Sequence, residues 1–255
     1  MISSVAQLPD ARADWAYFMD MDGTLIDIAE APDAIRVDHA LLDLIARLHR
    51  ACAGAVALIS GRSLADIEHR LGGVRIPVAG QHGLERRSAN GRLSAHAAAP
   101  EAKRHIQARL ESILSSHSGL LLEDKGLTLA LHYRQAPQLA SYVHRTMRRL
   151  LAETDAGLGL QRGKCVVEIK PVGFDKGSVI EEFLAEPPFA GRLPVFIGDD
   201  VTDEYGFAAV NRCGGISIKV GAGRTQARWR LRDVAAVREW LGSALIAAKE
   251  KAHEK

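Results

Sequence analysis

Short apolar runs alternate with longer segments of helical period near the start of the chain. The run AYFM, at residues 16–19, is followed by a segment in which Leu41, Ile45 and Leu48 fall on one helical face. A second apolar run, AVALIS at residues 55–60, follows that segment. Strands separated by helices are typical of βαβ units, so the pattern predicts an α/β fold with a mostly parallel sheet.

The same alternation resumes towards the C-terminus, after a middle part of different rhythm. Its predicted elements are a helix over 174–184, a strand over 193–200, a short helix over 203–210, a strand over 214–220 and a closing helix over 233–249. Since this pattern matches that of the first residues, we expect both ends of the chain to build one domain.

The middle of the chain predicts a separate module. Its predicted elements are two long helices with one strand after each, over 101–116, 127–134, 137–154 and 164–170. We therefore predict a core formed by residues 1–86 and 172–255, with a smaller α/β domain inserted over residues 87–171.

Composition and charge exclude several classes of protein. The 255 residues include 33 basic and 31 acidic ones, a balance that does not indicate a nucleic-acid-binding surface. Three cysteines without CxxC spacing favour neither a disulfide framework nor a zinc site. We find no leader peptide pattern and no apolar window of ~20 residues, the length that a membrane span needs. We expect a cytoplasmic protein without nucleic-acid or membrane partners. The sequence does not determine the oligomeric state, and a monomer is compatible with its composition.

Acidic and polar residues follow the predicted strands. Asp20 and Asp22 come after the first strand, Ser60 after the second, and Asp199 with Asp200 after a later one. In open α/β sheets, ligands bind at the carboxyl ends of the strands. Each group taken alone is also compatible with a polar turn, but together they predict one shared site.

Such a cluster of carboxylates needs a cation. Two unit charges about 4 Å apart repel by roughly 4 kcal/mol at an effective dielectric constant of about 20. Carboxylate oxygens with no His or Cys nearby suit Mg²⁺, which also accepts phosphate oxygens. The pattern therefore predicts a Mg²⁺ site and a phosphate-containing substrate.

Lys176 provides a second cation. Asp175 is the predicted N-cap of a helix, which places Lys176 in the first turn, where a positive charge opposes the helix dipole. An unfavourable position favours another role, and a lysine beside a helix N-terminus is suited to holding a phosphoryl group. The alternative is an exposed surface lysine.

Four short motifs resemble those of the haloacid dehalogenase-like phosphatases and occur in the same order. DMDGT at residues 20–24 resembles their nucleophile motif, SGR at 60–62 their second motif, Lys176 their third and GDDVTDE at 198–204 their fourth. The resemblance implies a Rossmann-like core with an inserted cap domain. It also implies covalent catalysis by a carboxylate, which divides phosphate ester hydrolysis into two steps.

The same resemblance assigns roles to individual residues. Asp20 would attack phosphorus to form an aspartyl-phosphate, and Asp22 would act first as an acid and then as a base. The metal ligands would be the Asp20 side chain, the Asp22 main-chain carbonyl and Asp199, supported by Asp200 or Asp203. Ser60 and Lys176 would bind the phosphoryl oxygens, and Thr24 would help to position the loop. Gly61 and Arg62 would belong to the substrate-binding residues.

We expect substrate specificity to lie in the inserted domain, because a lid excludes water and contacts the leaving group. Alternation places Thr128, His132 and Arg134 on one face of its first strand, and Glu168 and Lys170 on one face of its second. A polar face of this kind is also compatible with a solvated surface. The roles of Arg134 and Lys170 therefore stay open.

Longer stretches resemble the trehalose-6-phosphate phosphatases in particular. They are GQHGLE (80–85), LEDKGLTLALHYR (122–134), GKCVVEIKPVGFDKG (163–177) and GDDVTDEYGF (198–207). The resemblance implies that Glu123, Lys125 and Glu168 bind hydroxyls of the distal glucose, for which carboxylates and a lysine are suitable partners. It also implies that His82 and Glu85 lie near the hinge of the inserted domain.

These observations lead to three hypotheses. The first is a Mg²⁺-dependent phosphatase that hydrolyses trehalose 6-phosphate. The second keeps the chemistry but changes the substrate to mannosyl-3-phosphoglycerate or sucrose 6-phosphate. The third is a non-catalytic sensor of a sugar phosphate, which is disfavoured because a sensor would not need both Asp20 and Asp22.

Overall fold

The computed structural model describes residues 7–28, 37–96, 100–154 and 157–253, with side chains described as far as residue 245. In chain order, the strands are β1 (Ala16–Met19), β2 (Val56–Ile59), β3 (Val78–Gly80), β4 (Glu85–Arg87), β5 (Leu93–Ala95), β6 (Leu121–Asp124), β7 (Leu129–His132), β8 (Leu158–Gly163), β9 (Val166–Pro171), β10 (Pro194–Gly198), β11 (Ile216–Val220) and β12 (Trp229–Leu231). The α-helices are α1 (His39–Ala51), α2 (Leu64–Arg70), α3 (Pro100–Leu114), α4 (Ala140–Ala152), α5 (Lys176–Leu184), α6 (Asp203–Arg212) and α7 (Val234–His253). None of the helices in these ranges is both long and apolar enough to cross a membrane.

Eight of the described strands form the larger sheet, in the order β12, β11, β10, β1, β2, β3, β4, β5. The strands from β12 to β3 pair in parallel, and β4 and β5 add an antiparallel hairpin at one edge. Strand order reverses around β1, where Phe18 lies opposite Ala57 of β2 and Phe196 of β10. The predicted α/β fold with a mostly parallel sheet is confirmed. Such sheets bind ligands at the carboxyl ends of the strands beside the reversal, and here that place is the end of β1.

Helices cover both faces of the larger sheet. Tyr17 and Met19 of β1 belong to a core cluster that includes residues of α1 and α7. Phe18, which points to the opposite face, packs against Phe183 of α5 and stacks on Phe189. All residues of β1 are buried, as is typical of a parallel strand with helices on both sides.

The inserted part contains a second sheet. Its described strands are antiparallel and lie in the order β6, β7, β9, β8. Helices α3 and α4 cover one face, where Leu110 and Met147 share a core with Leu131 and Val167. Because alternate residues of a strand point to opposite faces, the polar side chains of β7 and β9 lie on the uncovered face.

The structure corrects the predicted strands of the insert. The prediction of one strand after each helix is wrong, because β6 and β7 follow α3, and β8 and β9 follow α4. The segments LLED of β6 and LGLQRG of β8 contain none of the β-branched or aromatic residues that identify strands. Their place in the sheet comes from pairing with β7 and β9, which are strongly apolar on one face.

The first boundary of the insert also needs revision. Residue 87, where we predict that the insert begins, is the last residue of β4, and β5 pairs with β4 in the larger sheet. The division into a core and a cap remains a prediction. Sheet pairing favours a first boundary after Ala95, because the whole hairpin belongs to the larger sheet.

The predicted start of the helix at Lys176 is confirmed. Asp175 is the N-cap of α5, where its side chain accepts from the N–H groups of Gly177 and Ser178, and Ser178 completes a capping box. Ser63 likewise caps α2. Its hydroxyl accepts from the Asp66 N–H, while the Asp66 carboxylate accepts from Arg62 and Arg70.

We predict that Leu110→Ala lowers the free energy of unfolding by about 2 to 5 kcal/mol, because Leu110 is fully buried under the cap sheet. Urea unfolding followed by circular dichroism measures this change. The matched control is Leu93→Ala, at a side chain that is 65% exposed, for which we expect a change within about 0.5 kcal/mol. Equal losses for both variants would contradict the assignment of Leu110 to the cap core.

Candidate active site

The motif-bearing segments meet at one edge of the larger sheet. Asp20 follows β1, Ser60 follows β2, Asp199 follows β10, and Lys176 is the first residue of α5. Because β1 lies between β2 and β10, the residues that follow these three strands are neighbours in space. The structure therefore brings these residues together, and Asp22, Asp200 and Lys176 line the same cavity.

Lys176 joins two of the carboxylates. Its Nζ donates to Asp20 Oδ1 at 2.7 Å and to Asp203 Oδ1 at 2.6 Å. All three side chains are buried, so the alternative of an exposed surface lysine is wrong. Thr24 adds a longer contact, in which its hydroxyl donates to Asp20 Oδ2 at 3.5 Å.

Asp203 holds the loop that carries Asp199. Its Oδ2 accepts from the main-chain N–H groups of Asp199 and Asp200, at 2.9 and 2.8 Å. Gly23 allows this loop to approach the loop after β1, because it has a φ of +83° and a Cβ atom there would collide with the Asp199 carboxylate. Asp203 therefore lies inside the cluster, whereas Asp200 is half-buried beside the cavity.

The carboxylates are suitable for a divalent cation. Asp20, Asp199 and Asp203 each offer an oxygen, and these oxygens lie within 4.8 Å of one another. Within the described part of the chain, Asp199 Oδ1 is buried without a hydrogen-bond partner. An unpaired buried carboxylate oxygen is costly unless something positive binds it, and oxygen ligands of this kind fit Mg²⁺.

The charges of the cluster do not balance without such a cation. Burial raises the pKa of Asp20 well above its usual value, and the nearby carboxylates of Asp203 and Asp199 raise it further, against the effect of Lys176. Burial likewise raises the pKa of Asp199 to about 6. Burial alone would lower the pKa of Lys176, but Asp20 and Asp203 outweigh it, so that this pKa is raised. Lys176 therefore stays charged, and one more cation would favour the ionised form of Asp20.

Asp22 points its carboxylate towards Arg62. The Arg62 guanidinium donates from Nε and Nη2 to both carboxylate oxygens, at 2.7 and 2.8 Å. Asp66 accepts from Arg62 Nη1 at 2.7 Å and also from Arg70, so that the guanidinium is held from the far side. The Arg62 main-chain N–H donates to Ser60 Oγ at 3.2 Å.

The predicted cap residues lie across the cavity from the carboxylates. Glu168 is buried and accepts from Thr128, while Lys125 Nζ lies 3.5 Å from it and donates to the Gly61 carbonyl at 3.1 Å. Burial alone would raise the pKa of Glu168, but the charge of Lys125 and hydrogen bonds outweigh it, so that this pKa is lowered. The Glu123 carboxylate accepts from the His132 ring Nε2 at 2.8 Å.

One cavity of about 410 Å³ connects the two groups. Its walls include Asp20 and Lys176 from the larger sheet, and Glu123, Lys125 and Glu168 from the cap. A volume of this size is typical of small-molecule sites, which range from about 300 to 1,000 Å³. All site residues predicted from the sequence except Thr24 and Asp203 line this cavity, and those two lie directly behind it.

Lys219 is a residue beside the site that the sequence pattern did not predict. This lysine lies in β11, is buried, and donates from Nζ to the Asp199 main-chain carbonyl. A signal was present, because strands buried on both faces are normally apolar throughout and ISIKV interrupts that pattern with a charge. Lys219 therefore helps to hold the Asp199 loop from the neighbouring strand β11.

The fold and the carboxylate–lysine site define the class of protein, a haloacid dehalogenase-like phosphatase with a cap. Among solved structures, the C-terminal domain of Candida albicans trehalose-6-phosphate phosphatase has the same fold, with a TM-score of 0.80, 21% identity, and coverage of 90% of this chain and 91% of that one. A trehalose-6-phosphate phosphatase related protein is 27% identical, with a TM-score of 0.74 and coverage of 92% and 99%.

Sequence comparisons give the family. The trehalose-phosphatase family model matches residues 18–235. The trehalose-6-phosphate phosphatase of Escherichia coli is 43% identical over 98% of this chain and 94% of its own length. A probable trehalose-phosphate phosphatase of Sinorhizobium fredii is 42% identical over 82% and 78%. The chain belongs to the trehalose-phosphatase family.

We predict that Asp203→Asn lowers the free energy of unfolding by about 3 kcal/mol, because it breaks a buried ion pair with Lys176. One half of an amide donates and cannot accept, so the variant loses either this contact or the two main-chain bonds to the Asp199 loop. Denaturant unfolding in magnesium-free buffer measures the loss.

The matched control for this prediction is Asp200→Asn. Asp200 is half-buried beside the cavity, and we expect its variant to change stability by no more than about 0.5 kcal/mol. A larger loss for Asp200→Asn than for Asp203→Asn would contradict the assignment of Asp203 as the anchor of the loop.

Proposed function

We propose that the protein is a Mg²⁺-dependent phosphatase that hydrolyses trehalose 6-phosphate to trehalose and phosphate. The observation that carries this proposal is the cavity itself, which has the Asp20–Lys176 pair at one end and Glu123, Lys125 and Glu168 at the other. The family membership and the names of the relatives support the same substrate.

Asp20 is the proposed nucleophile. Its carboxylate oxygen attacks phosphorus and forms an aspartyl-phosphate, while the bond between phosphorus and the sugar oxygen breaks. Asp22 donates a proton to that leaving oxygen, then takes a proton from water as the water attacks phosphorus. Phosphate leaves, and the Asp20 carboxylate and the protonated Asp22 are restored.

Proton donation requires Asp22 to change partners. Both Asp22 oxygens accept from the Arg62 guanidinium, so neither oxygen faces the place of the leaving group in this arrangement. We infer that Arg62 turns from Asp22 to the phosphoryl oxygens when the substrate binds. The network thus holds Asp22 beside the site until then.

Mg²⁺ fits the cluster that Asp20 and Asp199 form. These two carboxylates, with the main-chain carbonyl of Asp22, would hold it, and Asp203 would support it from behind through Lys176 and the Asp199 loop. When bound, it supplies positive charge against which the phosphoryl oxygens and the ionised nucleophile are stable.

The phosphoryl group is proposed to lie between the loop after β2 and the start of α5. Ser60, Gly61 and Arg62 form the loop after β2, and Lys176 lies opposite them at the start of α5. Hydroxyl, main-chain N–H, guanidinium and ammonium groups all donate hydrogen bonds, as an anion requires.

The cap residues are proposed to recognise the sugar. Glu123 and Glu168 accept hydrogen bonds from hydroxyls, and Lys125 donates them. These residues lie across the cavity from the phosphoryl site. A small phosphate ester bound at Asp20 would therefore not contact them. Sucrose 6-phosphate and mannosyl-3-phosphoglycerate would use the same chemistry and are the alternatives to be tested.

We predict that Asp20→Asn lowers kcat by about 10³-fold or more, because it removes the nucleophile while keeping its size. Phosphate release from trehalose 6-phosphate, with and without EDTA, measures the loss, and EDTA should abolish turnover of the unmodified enzyme. The matched control is Asp27→Asn, at an exposed aspartate of the same loop, which should retain normal turnover. Near-normal turnover of Asp20→Asn would exclude the covalent mechanism.

We predict that kcat/KM is highest for trehalose 6-phosphate in a panel with sucrose 6-phosphate, mannosyl-3-phosphoglycerate and p-nitrophenyl phosphate. Glu168→Gln should raise KM for trehalose 6-phosphate by about tenfold, the effect of losing a hydrogen bond to a charged group. Its effect on p-nitrophenyl phosphate should be much smaller.

The matched control on the cap is Glu111→Gln, at an exposed glutamate of α3, which should leave the ranking of substrates unchanged. A flat ranking in the panel, or a different preferred sugar, would contradict trehalose 6-phosphate as the substrate. Equal effects of Glu168→Gln on both esters would show that Glu168 supports the fold rather than the sugar.

A further inference from the structure

The turn after β3 has a strained backbone beside the cavity. Gln81 and His82 both have positive φ, at 46° and 58°, although neither is glycine. Such strain persists only where surrounding contacts impose it, and it concentrates at functional sites. Here, Gln81 N–H donates to the Arg62 carbonyl at 2.8 Å, and His82 N–H donates to the Ser60 carbonyl at 2.9 Å. The turn is therefore bound to the loop that we propose for phosphate binding.

The His82 side chain lies between that loop and the cap. Its Nε2 is 3.4 Å from Glu168 Oε2, and the ring packs so closely on Gly61 that a Cβ atom at Gly61 would lie 2.7 Å from it. The ring is buried and lines the cavity. Among the described residues, its Nδ1 is buried without a hydrogen-bond partner, so that Nε2 carries the ring's contact with the cap.

The contact joins two separate parts of the chain through one carboxylate. Glu168 belongs to β9 of the cap sheet, and His82 follows β3 of the larger sheet. Lys125 makes a second connection, because it lies 3.5 Å from Glu168 and donates to the Gly61 carbonyl. Thr128 holds the other oxygen of Glu168 from within the cap. His82 is thus the core side chain that faces the proposed sugar-binding carboxylate.

We propose that His82 is a positioning residue that fixes Glu168 relative to the Ser60–Arg62 loop and so determines the selectivity for a disaccharide phosphate over a small phosphate ester. This inference rests on the proposed function. A phosphate bound at Asp20 and a sugar hydroxyl bound at Glu168 are a fixed distance apart in one substrate. Both contacts can contribute fully to substrate binding only if the distance between the two binding groups is also fixed in the protein.

The protonation of His82 is consistent with this role. Burial lowers the pKa of His82 to about 4, and the charges of Lys176 and Lys125 lower it further, against the effect of Glu168. The ring is therefore neutral near pH 7. A neutral ring with its proton on Nε2 donates to Glu168 and leaves Nδ1 as the unpaired acceptor.

The test measures kcat/KM for trehalose 6-phosphate and for p-nitrophenyl phosphate in His82 variants. In His82→Ala, the ratio of the two values should fall by about tenfold, mainly through KM for the sugar phosphate. His82→Gln should restore most of the ratio, because its amide nitrogen is close to the position of Nε2. Gln81→Ala is the matched control, since it alters the same strained turn without touching Glu168, and it should leave the ratio unchanged.

His82→Asn covers the case in which His82→Ala does not fold. Asparagine favours the left-handed backbone of this position, but its shorter amide does not reach Glu168, so it should lose selectivity as the alanine variant does. A second measurement combines His82→Asn with Glu168→Gln. We expect no further loss of selectivity in the double variant, because both changes remove the same contact.

The outcomes separate this inference from the proposed function. If the unmodified enzyme does not prefer trehalose 6-phosphate, the proposed function fails. If it does, but His82→Asn retains the ratio or adds its full loss to that of Glu168→Gln, the positioning role of His82 is overturned. Equal loss in Gln81→Ala and His82→Asn would also overturn it, because strain in the turn would then explain the effect.

Discussion

The buried contacts of Lys176 with Asp20 and Asp203 are the interaction on which the site depends. They join the end of β1, the start of α5 and the start of α6, which are far apart in the chain. A buried lysine is stable only with charged partners, and these carboxylates would repel each other without it. One network therefore closes the edge of the sheet and fixes the Asp20 carboxylate. It also leaves an excess of negative charge, which makes the cluster suitable for a divalent cation.

The rest of the site is arranged around that fixed point by contacts from two directions. From within the larger sheet, Arg62 holds Asp22 beside Asp20, and the same guanidinium is supported by Asp66 at the start of α2. From the cap, Lys125 donates to the Gly61 carbonyl in the loop after β2, and Glu168 faces His82 in the turn after β3. The carboxylate–lysine cluster and the cap residues thus lie on separate sheets, which meet at the loop after β2 and the turn after β3.

Much of this arrangement could be predicted from the sequence, and the exceptions have a common cause. The strand ends predicted the positions of Asp20 and Asp199, and the N-cap Asp175 predicted the place of Lys176 in the first turn of its helix. The strands β6 and β8 were missed because their residues lack strand propensity, and pairing with neighbours outweighs that weak local preference. Sheet pairing favours a boundary later than residue 87, because β5 belongs to the larger sheet through pairing with β4.

By itself, the sequence determined the alternation of strands and helices, the helix starts and the chemical groups at the strand ends, because these depend on neighbours within a few residues. Only the tertiary structure decided that Asp203 lies inside the cluster, that Arg62 binds Asp22, and that His82 faces Glu168. These pairs join side chains that are distant in the chain or that choose among several partners. Their geometry follows from strand order and from burial, which decides which charges must be paired.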